Sequence, residues 1–279
     1  MLFFEPGNRY VAISVTGYAC ELLCDYCRGR WLRGMLPAPT PGALAKLLAK
    51  LAKSGVTGIL VSGGFNREGY LPVERFIPVL ERFRKEHPDV IISMHAGLMP
   101  LETLEKLTSI VDIIDFEIPL TRAQRLQMHL TASLREYLLL AARADALGFR
   151  VVPHLLLGLP GSALAEEEAA AQYVALILKP RVLVLLYHVE SLHSPRCIIE
   201  RLRRVASAVK PYVGDLSLGC MRPRTIKSRE FILYGLFDRA ASPSPSLRRW
   251  FNASILPYCC SIPLEVVDRI CSNSACIPS

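Results

Sequence analysis

Short β-rich runs alternate with longer helical patterns along most of this chain, and that alternation constrains its fold more than any other feature. Seven runs read as strands: Tyr10–Thr16, Thr57–Ser62, Val90–Met94, Val111–Glu117, Phe149–Leu157, Arg181–Tyr187 and Val213–Leu218. Helical patterns follow at Pro41–Lys53, Pro72–Glu86, Pro100–Ser109, Ser133–Leu147, Ala163–Leu178, Pro195–Val209 and Ile226–Ala240. Gly148 stands where a helix C-cap glycine belongs, and the acidic run Glu166–Glu168 suits a helix N-terminus. The second to sixth strands are nearly continuous apolar runs, the pattern of parallel strands covered on both faces. The class is therefore α/β, with a barrel and an open doubly wound sheet as the choices. In a barrel, chemistry gathers on the loops after the strand C-termini. The informative residues fall there, which favours a complete or partial TIM-type (β/α) barrel.

Ser242-Pro-Ser-Pro-Ser246 breaks the alternation like a linker. The expectation is a barrel over 1–241 and an irregular, cysteine-rich C-terminal extension over 242–279 packed on it. The longest apolar runs, such as Val182–Tyr187, are strand-sized and too short to cross a bilayer. No secretory signal is evident, so the expected compartment is the cytoplasm. The net charge of +8 permits an acidic partner. Its basic residues are scattered, with small clusters at Arg201/Arg203/Arg204 and Arg222/Arg224/Lys227/Arg229. A solvated basic surface explains them most simply, then an acidic protein partner. Nucleic acid comes last, because there is no basic tail or aromatic ladder. Asparagine and glutamine are scarce, a thermophile signature.

Nine cysteines are many for such a chain, and in a reducing compartment clustered cysteines point to metal binding or catalysis before disulfides. Cys20-x-x-x-Cys24-x-x-Cys27 lies between the first strand and the first long helix. Three thiolates so placed can hold three corners of a cubane [4Fe–4S] cluster and leave one iron open, and open coordination makes a metal reactive. Soft thiolates also suit zinc. A zinc site would need a fourth ligand, which no histidine of the motif or its flanks supplies. Structural thiols without metal are the remaining reading.

With Tyr26 as the aromatic, C-x-x-x-C-x-aromatic-C on this loop resembles the radical S-adenosylmethionine (SAM) superfamily. The resemblance implies a [4Fe–4S] cluster on Cys20, Cys24 and Cys27, with SAM chelating the open iron through its amino and carboxylate groups. It implies reductive cleavage of SAM to a 5′-deoxyadenosyl radical that removes hydrogen from unactivated C–H bonds, and an electron donor such as ferredoxin. Ser62-Gly63-Gly64 then stands where such proteins hold the methionine amino group; Phe65 replaces the glutamate that often follows. Asp115 and Glu117 fall where the SAM ribose is usually bound, although capping or ion pairing is an equal reading. Gly158-Leu159-Pro160-Gly161, behind His154, resembles the segment that packs on adenine. His95 and His154 are candidate catalytic groups; singly, these histidines and His188 are more often satisfied core or rim residues.

Ser14-Val-Thr-Gly17, Leu60-Val-Ser-Gly-Gly64, Met94-His-Ala-Gly97, Val152-Pro-His-Leu-Leu-Leu-Gly158 and Leu218-Gly-Cys-Met-Arg-Pro223 together resemble the archaeal-type biotin-synthase homologues, including subunits of the two-protein lipoyl synthase. That likeness implies sulfur insertion into an octanoyl chain on an acidic carrier protein, with a paralogous radical SAM subunit as partner. Cys220, Cys259, Cys260, Cys271 and Cys276 are the possible ligands of an auxiliary, sulfur-donating Fe–S cluster; a disulfide or free thiols are the alternatives. Adjacent Cys259 and Cys260 are expected to diverge. Two other outcomes compete: radical chemistry without sulfur insertion (methylation, rearrangement, or tRNA or cofactor modification), and a non-enzymatic metal-binding scaffold or regulatory subunit.

Overall fold

A computed structural model describes residues 1–245 and 255–271, with the backbone alone for 268–271. The strands are β1 (Leu2–Phe4), β2 (Tyr10–Ser14), β3 (Leu36–Pro37), β4 (Gly58–Ser62), β5 (Ile91–His95), β6 (Ile113–Glu117), β7 (Arg150–Leu157), β8 (Val182–Tyr187), β9 (Asp215–Leu218), β10 (Arg239–Ala241) and β11 (Ile255–Leu256). They form one curled sheet, a half-barrel, in the order β11-β1-β10-β9-β8-β7-β6-β5-β4-β2-β3. Every pairing is parallel. The expected partial TIM-type barrel is thus the architecture, and the seven strands read from the sequence are β2 and β4 to β9.

The helices are α1 (Pro41–Lys53), α2 (Ile77–Glu86), α3 (Leu101–Leu107), α4 (Arg122–Gln127), α5 (Leu134–Ala146), α6 (Leu164–Leu178), α7 (Pro195–Val209) and α8 (Leu264–Cys271). Local chemistry sets their ends. Thr40 Oγ1 accepts the Ala43 N–H at 3.1 Å ahead of Pro41, and Ser133 and Glu136 form a capping box at α5. Gly148 follows α5 at φ +94°, in the left-handed region that spares a Cβ clash. Leu44, Leu48 and Leu51 put one stripe of α1 into the core.

Because strand side chains alternate, the sheet feeds two apolar clusters. Ile59, Val61, Ile92, Met94, Ile114, Phe116, Leu183 and Leu185 face the helices. Tyr10, Ile91, Ile113, Val152, Leu156, Val182 and Val184 face the inside of the curl. Tyr258, Cys260, Ile262, Val266 and Val267 join that inner cluster, and Glu265 reaches Arg150 and Arg181 at the N-terminal ends of β7 and β8. This stretch therefore lies within the curl and across its lower end. The expected helix Ile226–Ala240 is a 3₁₀ helix over Arg224–Leu233, followed by β10. Gly235 interrupts the pattern, and Arg239 pairs with Asp215 of β9 at 2.5 Å, drawing 239–241 into the sheet. Among the described residues no helix is long and apolar enough to cross a membrane.

Candidate functional site

The cysteine loop leaves β2 at the C-terminal end of the sheet, and short polar contacts shape it. Ser14 Oγ donates to the Gly17 carbonyl at 2.6 Å. Thr16 Oγ1 donates to Ala19 O at 2.8 Å and accepts the Gly64 N–H at 2.6 Å. The Phe65 carbonyl accepts the Glu21 and Leu22 amides. A Cβ on Gly64 would fall 2.0 Å from Ala19 O and 2.4 Å from Cys20 Cα, so only glycine lets the strand end lie under this loop. Leu23 (φ +44°) and Arg28 (φ +45°), flanking Cys24 and Cys27, hold left-handed conformations that cost non-glycine residues energy.

Cys20, Cys24 and Cys27 are all free thiols. Cys20 donates to Phe65 O at 3.9 Å, and Cys24, buried, donates to Met128 O at 3.7 Å. A hydrogen bond shared with Cys24 and the Gly29 N–H bring the Cys27 thiol down to about 7 against the opposing effect of burial; the same contact and burial push Cys24 up. Among the described residues no three His, Cys, Asp or Glu side chains converge as a single ion requires. A cubane presents separate irons to ligands spread around it, and a soft thiol trio on one loop fits three of them.

The expected neighbours divide into two levels. At the rim, Glu117 ends β6, and its negative charge opposes the ionisation of Cys24, Cys27 and Tyr26, pushing each pKa upward. Burial is the larger cause for Tyr26, whose ring meets His188 edge-on at 6.2 Å. Gly158 (φ +77°) and Gly161 (φ +78°) shape the next loop; a Cβ on Gly158 would enter the Tyr187 ring at 2.4 Å. Deeper, Ser62 Oγ and His95 Nδ1 share a hydrogen bond at 3.1 Å, and His95 meets the His154 ring edge-on at 6.1 Å. His154 Nδ1–H donates to Val152 O at 3.1 Å, and burial lowers its pKa, keeping it neutral at pH 7. Asp115 pairs in register with His95 and Val152 and is 1% exposed, and neither of its oxygens has a hydrogen-bond partner.

Three further cysteines gather inside the curl. Cys259 and Cys260 lie close enough for each thiol to shift the other. Cys260, together with Ser261 Oγ donating to Cys259 Sγ at 3.2 Å, lowers Cys259, while Cys259 and burial raise Cys260. Burial and then Cys259 raise Cys220; this residue keeps accessible surface although protein surrounds it, as a group lining a lumen does. The Cys271 side chain and Cys276 lie outside the described residues.

Sequence reasoning missed the positioning residues. His129 Nδ1–H donates to Leu22 O at 2.8 Å, and its Nε2 faces Asp25 at 3.2 Å, tying the cysteine loop to the end of α4. Glu167, fully buried, accepts the Gly158 N–H at 2.8 Å, Gln124 Nε2 at 3.3 Å and Arg201 at 2.7 Å. A lone histidine and one acid within a glutamate run gave no signal. A cleft of about 420 Å³ lies at the other end of the sheet beside Arg150, Arg181 and Pro263. Cleft size does not locate the chemistry here.

No family model matches the sequence, and no curated protein matches it. Among solved structures, the chain is similar to methylornithine synthase, with 16% identity over 98% of this chain and 84% of that one and a TM-score of 0.59. It is also similar to Streptococcus suis SuiB bound to S-adenosylmethionine: 13% identity, 81% of this chain, 50% of that one, TM-score 0.57. The HMG-CoA lyase from Brucella melitensis matches over 93% of this chain and 95% of its own length, at 11% identity and a TM-score of 0.52. Likeness at these identities establishes the fold, which proteins of different activity share, so function rests on the site. Fold and site together define a (β/α) half-barrel with a loop of three free thiols at its C-terminal face.

Proposed function

We propose that this chain is a radical SAM enzyme. The observation that carries the reading is the loop Cys20–Cys27: three free thiols held at the C-terminal face of the half-barrel, above an inner face lined by ionisable groups. Cys20, Cys24 and Cys27 would hold a [4Fe–4S] cluster, which when bound supplies the electron that cleaves SAM to the 5′-deoxyadenosyl radical. Tyr26, beside those thiols, shields them from solvent. The Ser62–Gly64 strand end takes the methionine portion of SAM, Glu117 the ribose, and the Gly158–Gly161 turn packs on adenine. His95 and His154 line the space where the reacting carbon would sit, and neutral His154 offers a proton acceptor there. SAM bound to SuiB, on the shared fold, supports the reading.

The finer reading is sulfur insertion into an octanoyl chain, supported by the thiols of Cys220, Cys259 and Cys260 inside the curl. The polar lining of Ser93, His95, Asp115 and His154 favours instead radical chemistry without sulfur insertion on a polar substrate. Anaerobic reconstitution tests the whole. The protein should bind iron and form 5′-deoxyadenosine from SAM and reductant, and Cys24→Ala should abolish both; wild-type protein that does neither refutes the enzyme reading. Sulfur insertion predicts iron and sulfide beyond one cluster per chain and added sulfur, read by mass, on an octanoylated carrier peptide.

A further inference from the structure

Asp115 and Glu117 sit two residues apart on one face of β6, about 7 Å along the strand, and their surroundings overlap only at His154. Glu117 acts on the thiols of the cysteine loop. Asp115 acts on Tyr10 and on Cys259 of the C-terminal segment, and both carboxylates act on His154.

A buried carboxylate without partners is costly, and native structures keep one only with compensation. Compensation from this chain is missing among the described residues. No Lys, Arg or His nitrogen forms an ion pair with Asp115, and both its oxygens are unbonded. His95, across from Asp115 in the strand register, shares its Nδ1 with Ser62 Oγ, and His154, across from Glu117, spends its Nδ1–H on Val152 O and presents only the Nε2 lone pair. Tyr10 donates its hydroxyl to Ser93 Oγ at 2.7 Å. Two carboxylate oxygens and one imidazole nitrogen, all acceptors, therefore face the same interior. Such a set is completed by a donor-rich cation.

We propose that Asp115, with His154 beside it, is a substrate-side subsite for a primary ammonium group, placed below the SAM site. This rests on the radical SAM reading and names the substrate class: an amine-bearing molecule whose ammonium places three N–H donors among three acceptors.

The test uses the reconstituted full-length chain and n-butylammonium chloride as probe, with n-butanol as its neutral counterpart, each titrated calorimetrically. The ammonium should bind wild type at least about tenfold more tightly than butanol does, as a charge-assisted hydrogen bond warrants. Asp115→Asn should erase that preference, and its loss in ammonium affinity should exceed its loss in SAM affinity about tenfold or more. Glu117→Gln should show the reverse. Asp115→Asn removes an unpaired buried charge, so it should melt no lower than wild type, which separates lost binding from unfolding. Equal binding of the two probes overturns the proposal. So does an Asp115→Asn variant that loses SAM affinity and keeps the ammonium preference, since Asp115 would then hold the ribose. If wild type fails to cleave SAM but still prefers the ammonium through Asp115, the functional reading falls and the subsite stands.

Discussion

Glu167 is the residue whose removal tests most directly how the glycine turn is held. It is 0% exposed, and its two oxygens receive the Gly158 N–H, Gln124 Nε2 and Arg201, which also donates to Ser162 O at 2.9 Å. Glu167→Ala leaves a guanidinium buried without its counter-charge and the Gly158 amide without an acceptor. Breaking a buried pair by removing one partner costs about 3–5 kcal/mol, so a loss of about 4 kcal/mol is expected. At about 2.5 °C per kcal/mol for a chain of this size, melting should fall by about 10 °C. Glu167→Gln keeps an acceptor for Gly158 and loses only the charge, so its loss should be about 3 kcal/mol. Glu167→Gln with Arg201→Met removes both charges and should recover to within about 1.5 kcal/mol of wild type. Urea unfolding of the metal-free chain measures all three. A loss below about 1 kcal/mol for Glu167→Ala, or no recovery in the double variant, refutes the view that this pair is a coupled buried unit.

Burial lowers the His154 and His188 pKa values from 6.5. The folded chain thus binds fewer protons than the unfolded one below that pH. Stability should be full above about pH 6.5 and fall as pH drops, by at most about 1.4 kcal/mol per pH unit per histidine; urea midpoints at several pH values should show it, with a shallower slope for His154→Gln. Gly64→Ala drives a methyl into Ala19 O and Cys20, so iron per chain should fall severalfold while far-ultraviolet dichroism holds; wild-type iron loading would count against it. Ser133→Ala opens the α5 capping box, at an expected cost of about 1 kcal/mol in urea unfolding with iron content unchanged.

The cysteine loop and the seven central strands were legible because their signals are local: eight consecutive residues for the thiols, and apolar runs bounded by turn residues for the strands. What escaped the sequence depends on distant partners. Leu2–Phe4 is too short to show a period and becomes a strand only by pairing with 239–241 and 255–256. Ile226, Phe231 and Leu233 do read as a helix pattern. The buried Arg222–Glu230 pair at 2.6 Å and Gly235 tighten that stretch into a 3₁₀ helix before it straightens into β10. Glu166–Glu168 looked like a charge run at a helix start, yet Glu167 turns inward because Arg201, on α7, needs it.

The glycines make the same point about motifs. Gly64 and Gly158 stand in segments that the resemblance assigns to SAM, and at each the protein itself fills the space a side chain would take: the Cys20 backbone at one and the Tyr187 ring at the other. A glycine motif therefore reports crowding without naming the crowding partner. The unpaired carboxylate of Asp115 is the stronger pointer to a ligand, because nothing among the described residues answers its charge. On the radical SAM reading proposed above, the acceptors of the inner face constrain the substrate more than the glycine loops do. They point away from an apolar octanoyl chain, which would leave that charge buried and unmatched.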